Sequence, residues 1–147
     1  MKPKLAKAYM KTAEIFAELS HARRLHVGAI VVKDDRIISI GYNGMPSGWE
    51  NDCEHEIEAE GGDDVEIVLK TKPEVLHAET NAIAKLARST ESGVDADIFI
   101  THSPCLDCAK LIYQSGIKRV WYGSEYRDSA GPDFLRKSGI EVKHLDH

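Results

Sequence analysis

The sequence predicts an α/β domain, a mixed β-sheet covered by helices, on three observations. Two apolar runs flank a charged turn as an antiparallel hairpin, strands and helices alternate through the second half, and 147 residues suit one domain, residues 1–147. With 42% hydrophobic and 29% charged residues, the composition favours a packed core over disorder.

Leu5, Ala8, Thr12, Ile15, Phe16 and Leu19 recur at spacings of three and four, which predicts an amphipathic first helix with that face buried. The run 27–32 (VGAIVV), the charged turn 33–36 (KDDR) and the run 37–42 (IISIGY) predict a hairpin. Residues 44–73 hold glycines, prolines and an acidic cluster, and read as a functional or oligomer-facing loop. From His77 to Arg88 a helix is expected, with Ala78, Ala82, Ile83 and Leu86 on its apolar side. A strand over 97–101, a helix from Cys105 to Ser115 ended by Gly116, a strand over 119–123, a short helix over 132–138 and a last strand near 140–142 complete the order. That alternation implies parallel pairing.

Nineteen basic against twenty-four acidic residues give a formal charge of −5, which argues against a broad nucleic-acid-binding surface. The sign is uneven. Residues 50–66 carry nine acids and no Lys or Arg, so the other fifteen acids against all nineteen basic residues leave the remainder at +4. Such a body suits a small phosphate-bearing ligand rather than a long polyanion. No run approaches about 18 uninterrupted apolar residues, and charges break up the N-terminal apolar positions, so a cytoplasmic location with no signal or membrane contact is expected.

Three cysteines are too few for a disulfide framework, and two stand as Cys105-Leu106-Asp107-Cys108. Three apart in a first helical turn, their sulfurs fall on one face, where the positive helix end favours thiolates. His77, opening another helix, would add a neutral imidazole. Two thiolates and one imidazole suit Zn²⁺ with a fourth position open to water, the pattern of a catalytic site. Glu79 lies two residues beyond His77, out of the ligand direction, where a carboxylate can shuttle protons. H-x-E joined to P-C-x-x-C is the signature of zinc deaminases of nucleobases.

Other readings stay open for several of these residues. The Cys105/Cys108 pair also fits a thioredoxin-like redox site, and Cys53 or His55 would close a structural zinc site. His21, His26, His102, His144 and His147 read as surface or loop residues, with His102 near enough to the metal loop to support it. Residues 41–48 (GYNGMPSG) are turn chemistry, yet they also permit close backbone approach to a ligand, with the Asn43 amide suited to a sugar hydroxyl. Arg23 and Arg24 complement a helix end or hold a phosphate; Arg127 rivals them, and Tyr126 suits a planar base.

Across nearly its whole length the chain resembles the deoxycytidylate (dCMP) deaminase family of the cytidine deaminase-like superfamily. The likeness runs through Ser20, Arg24 and Val27-Gly28-Ala29, then the segment from Gly41 to Pro46 with Gly48 and Cys53. It continues through His77 to Ile83, Thr101, Pro104 to Ala109, Gly116-Ile117-Lys118, Val120, Tyr122 and Tyr126-Arg127-Asp128. The resemblance implies a three-layer α/β/α fold with a five-stranded mixed sheet, and conversion of dCMP and water to dUMP and ammonia. It implies zinc on His77, Cys105 and Cys108, with Glu79 moving protons between water, N3 and the leaving amine. It also implies contacts of Asn43 with deoxyribose, of the Ala78 amide with the base carbonyl, and of the Ser103 carbonyl with the amine.

Members of that family are hexamers activated by dCTP and inhibited by dTTP, which implies an effector site around Asn43, Gly44, Met45 and Pro46. Beside so acidic a segment a triphosphate needs Mg²⁺. Lys2, Lys4, Lys7, Lys70 and Lys72 offer further positive charge. Some members carry a second, structural zinc on a cysteine where this chain has Ala22, so one zinc per chain is expected. The competing functions are a deaminase of tRNA adenosine or free cytidine, a bifunctional dCMP/dCTP deaminase, and a non-catalytic zinc-stapled interaction module. A module has no use for Glu79.

Overall fold

The structure, a computed structural model, describes residues 1–61 and 64–145. Gly62 and Asp63, in the acidic segment, and His147 among the predicted surface histidines lie outside the described residues.

In chain order the elements are α1 (Pro3–Ala17), β1 (Gly28–Lys33), β2 (Arg36–Tyr42), β3 (Glu54–Gly61), β4 (Asp64–Thr71), α2 (Ala78–Ala87), β5 (Asp97–His102), α3 (Leu106–Gln114), β6 (Arg119–Ser124), α4 (Ala130–Lys137) and β7 (Glu141–His144). Five strands form one sheet in the order β2-β1-β5-β6-β7. β1 is antiparallel to β2 and β5, whereas β5, β6 and β7 run parallel. The mixed sheet expected from the sequence is therefore present. Asp34 and Asp35 both take left-handed backbone angles, φ 52° and 56°, in the two-residue turn that joins β1 to β2.

α1 covers one face of the sheet, over Ile30, Val32, Phe99 and Trp121. α2, α3 and α4 cover the other, burying Val31, Ala82, Ile98, Ile100, Ile112 and Leu135. Gly116, at φ +85°, ends α3 as the sequence suggested, and Gly139, at φ +84°, ends α4 in the same way.

Two expectations need correction. The buried stripe of α1 is Ala6, Met10, Ala13 and Ala17, while Leu5, Ala8, Ile15 and Leu19 face outward. The cause is close approach: a Cβ on Gly28 would stand 2.0 Å from the Ala13 carbonyl oxygen and 2.8 Å from the Ala17 nitrogen, so where it crosses Gly28 the helix lies too near β1 for anything larger than alanine, and Met10 fills the space beside that crossing. The second correction concerns residues 44–73, read as a loop. They contain the antiparallel ribbon β3–β4, paired from Glu54 opposite Thr71 to Gly61 opposite Asp64.

Candidate active site

The strand-to-helix connections place two positive helix ends beside one another. His77 caps α2 with extended backbone (φ −74°, ψ 156°), and Cys105 caps α3 in the same way (φ −71°, ψ 169°). The position of α2 is fixed from β2: the Ser39 hydroxyl donates to the Ala82 carbonyl at 2.6 Å, and the Asn81 amide donates to the Tyr42 carbonyl at 2.8 Å. Gly41 is required there, because a Cβ would fall 2.2 Å from the Ala78 carbonyl oxygen.

His77 Nδ1 stands 3.3 Å from Cys108 Sγ and 3.6 Å from Cys105 Sγ. Among the described residues these three alone form a potential metal-binding group, their ligand atoms all within 4.8 Å of one another. Zinc bonds of about 2.3 Å to sulfur and 2.0 Å to nitrogen give a tetrahedral edge of about 3.5 Å, so the spacing fits the ion. Cys53, weighed above as a further ligand, does not join the group; it is buried beside Glu54 instead.

The three donors and the neighbouring carboxylate perturb one another. A hydrogen bond from the Cys108 thiol, then one from His77, brings Cys105 down to about 4, a ready thiolate. The Cys105 hydrogen bond raises His77. Cys108 moves up, first because it donates to Cys105 and then by burial. Glu79, only 4% exposed, is pushed up to about 7 by burial. Burial also lowers His102, whose ring lies 5.8 Å from that of Tyr126.

A cavity of about 630 Å³ opens over the cluster, lined by His77, Ala78, Glu79 and Cys105 and walled by Arg24, Asn43, Tyr126 and Arg127. Eight of the residues singled out from the sequence thus meet in one space. Cys108 is buried, and Ser103 lies buried behind Tyr126, its hydroxyl accepting the Tyr126 N–H at 2.9 Å. Asn43 is largely committed to the backbone: its Oδ1 accepts from Val27 N and its Nδ2 donates to the Leu25 carbonyl, each at 2.8 Å. One amide N–H remains for a ligand. Gly44 pairs with Leu76 instead, and Met45 lines a second cavity, of about 490 Å³, with Trp49, Asp52, His55 and Lys72.

Sequence reasoning missed the role of the ribbon's base. Cys53, Glu54 and Thr71 line the main cavity. Both oxygens of buried Glu54 accept the Arg23 backbone N–H, at 2.8 and 2.9 Å, and Thr71 Oγ1 accepts from Arg24 Nη1 at 3.1 Å. The ribbon therefore sets the Arg23-Arg24 turn against the cavity. Alternating glutamates were the available signal, and they were absorbed into the functional or oligomer-facing loop expected over 44–73.

The layered fold, the His/Cys/Cys cluster and the adjoining buried carboxylate define a zinc-dependent deaminase. More narrowly, the chain belongs to the cytidine and deoxycytidylate deaminase family, matching its zinc-binding region over residues 3–124. Deoxycytidylate deaminase of Enterobacteria phage T4 is 34% identical, over 93% of this chain and 88% of the relative. The human deoxycytidylate deaminase is 38% identical, over 82% and 66%. Among solved structures, dCMP deaminase from the cyanophage S-TIM5 in complex with dCMP and dUMP is 47% identical. It superposes with a TM-score of 0.87 over 99% of both chains.

Proposed function

We propose that the protein hydrolyses dCMP to dUMP and ammonia, with Glu79 as the proton carrier. The observation that carries this reading is the buried Glu79 carboxyl beside the three-donor cluster, in a cavity that also holds Arg24 and Arg127. The cyanophage relative complexed with dCMP and dUMP supports the substrate.

His77 Nδ1, Cys105 Sγ and Cys108 Sγ would hold the zinc. Bound there, zinc supplies Lewis acidity that makes water nucleophilic near neutral pH. Glu79 takes a proton from the attacking water and delivers it to N3 of the cytosine as the new C–O bond forms at C4. A second proton from the same oxygen passes to the 4-amino nitrogen, the C4–N bond breaks and ammonia leaves. Burial, which pushes this carboxyl up from its ordinary value, suits it to giving a proton as well as taking one. Tyr126 covers the base, the Ala78 amide meets its carbonyl, and the Ser103 carbonyl accepts from the departing amine. The remaining Asn43 N–H meets the deoxyribose, and Arg24 and Arg127 hold the phosphate.

As in the family it resembles, the enzyme is a homo-hexamer of nucleotide biosynthesis in the cytoplasm, raised by dCTP and lowered by dTTP. The effector site is the segment Asn43 to Pro46 with the cavity beside Met45, where Glu50, Asp52 and Glu74 call for Mg²⁺ with a triphosphate.

Ammonia release is measured from dCMP, dCTP, deoxycytidine and CMP, with Mg²⁺-dCTP or Mg²⁺-dTTP added. Selective dCMP turnover, raised by dCTP and lowered by dTTP, is expected. Equal turnover of dCTP would widen the substrate class, and silence on all four with zinc bound would contradict the proposal.

A further inference from the structure

Beyond its base, the β3–β4 ribbon makes no extended packing contact with any other helix or strand among the described residues. A two-stranded ribbon is marginal alone in water, yet this one leaves Val65 and Ile67 69% and 64% exposed. Strand alternation puts Glu54, Glu56 and Glu58 on one face, opposite Thr71, Leu69 and Ile67. Glu54 and Glu56 on that face already bond Arg23 of the same chain, through its backbone N–H and its guanidinium, so the outer end of the face is Glu58 along β3 with Ile67 and Val65 along β4.

The outward side of α1 has the complementary pattern. Leu5, Ala8, Ile15 and Leu19 form an exposed apolar stripe, Ile15 being 61% exposed. At 3.6 residues per turn, Lys4, Lys7 and Lys11 run beside it as a second row. All three lysines are exposed, and no ion pair among the described residues engages them.

We propose that the ribbon of one protomer lies across the outer face of α1 in a second copy of this chain. Ile67 and Val65 cover the apolar stripe, and Glu58 faces the lysine row. Charge complementarity favours this pairing, because it brings the exposed Glu58 against Lys4, Lys7 and Lys11. Because each chain carries both halves, the contact closes reciprocally in a dimer or head-to-tail in a ring. It rests on the homo-oligomer reading above and names the surfaces that build the assembly.

The test is sedimentation of the zinc-loaded full chain over about 1–100 µM, a range that spans moderate affinities. The variants are Glu58→Lys, Lys7→Glu/Lys11→Glu, and all three changes in one chain, with zinc content and circular dichroism reporting the fold. Multimers of wild type are expected, and each set of changes alone should raise the dissociation concentration about tenfold or more. The combined chain should return close to wild type. A wild-type monomer at the highest concentration would overturn the oligomer reading and this contact together. A wild-type multimer with the α1 changes silent, or with the combined chain still dissociated, would overturn the contact alone.

Discussion

Gly131, in the first turn of α4, is where a single methyl group should disable the metal site without changing any ligand side chain. A Cβ there would stand 1.9 Å from the Pro104 carbonyl oxygen and 3.0 Å from the Cys105 carbonyl carbon. To restore an ordinary contact of 3.4 Å, α4 and the loop carrying Cys105 must part by about 1.5 Å. The ligand atoms now lie at tetrahedral-edge spacing, and a misplacement of about 1 Å in an active site can cost roughly 10²-fold. Gly131→Ala should therefore lower kcat/KM for dCMP by about 10²-fold or more and leave zinc well below one per chain after gel filtration. Overpacking adds about 1–3 kcal/mol of lost stability. Phe99→Ala is the control. It removes a buried ring stacked on Trp121, 5.4 Å between centroids, on the α1 side of the sheet, and costs about 3–5 kcal/mol. Its folded fraction should keep its zinc. A Gly131→Ala protein with full zinc and kcat/KM within about twofold of wild type would refute the reasoning.

Three further outcomes follow from the same contacts. Glu54→Gln loosens the Arg23-Arg24 turn, so KM for dCMP should rise about tenfold while turnover of deoxycytidine, which lacks the phosphate, stays unchanged; equal losses on both would contradict this. Burial holds Glu79 near 7 rather than 4.5, so across that window the folded chain keeps a proton that the unfolded chain has lost, and its stability falls as pH rises. In zinc-free protein, the melting temperature of wild type relative to Glu79→Gln should fall across this window, and a pH-independent difference would be the contrary result. Asp97, buried, accepts from Trp121 Nε1 at 2.9 Å and pairs with Arg119 at 3.1 Å. Asp97→Ala should cost about 3 kcal/mol and roughly 10 °C in Tm, with KM unchanged; a loss under about 2 °C would contradict it.

What was legible in the sequence depended on how locally the information is written. The β1–β2 hairpin announces itself through two β-branched runs and a charged turn. His77-Ala78-Glu79 and Cys105 to Cys108 each sit at a helix start, so short spacings already implied a shared ion. Their meeting across nearly thirty residues was legible because the chemistry of each half demands the other. The buried face of α1 was hidden because hydrophobicity favours Leu5, Ile15 and Leu19, whereas proximity to Gly28 favours Ala6, Ala13 and Ala17. The ribbon was hidden by its charge: glutamate is a poor strand former, and only the run 65–69 (VEIVL) has strand character by propensity. Glu54 beneath Arg23 could not be read at all, since it joins segments with no common motif.

Ammonia release from dCMP by zinc-loaded wild type and Glu79→Gln, side by side with zinc content and melting temperature, tests the central claim most directly. The account expects one zinc per chain and a folded protein in both, with turnover reduced about 10²-fold or more in Glu79→Gln alone. Comparable turnover in the two proteins would contradict it.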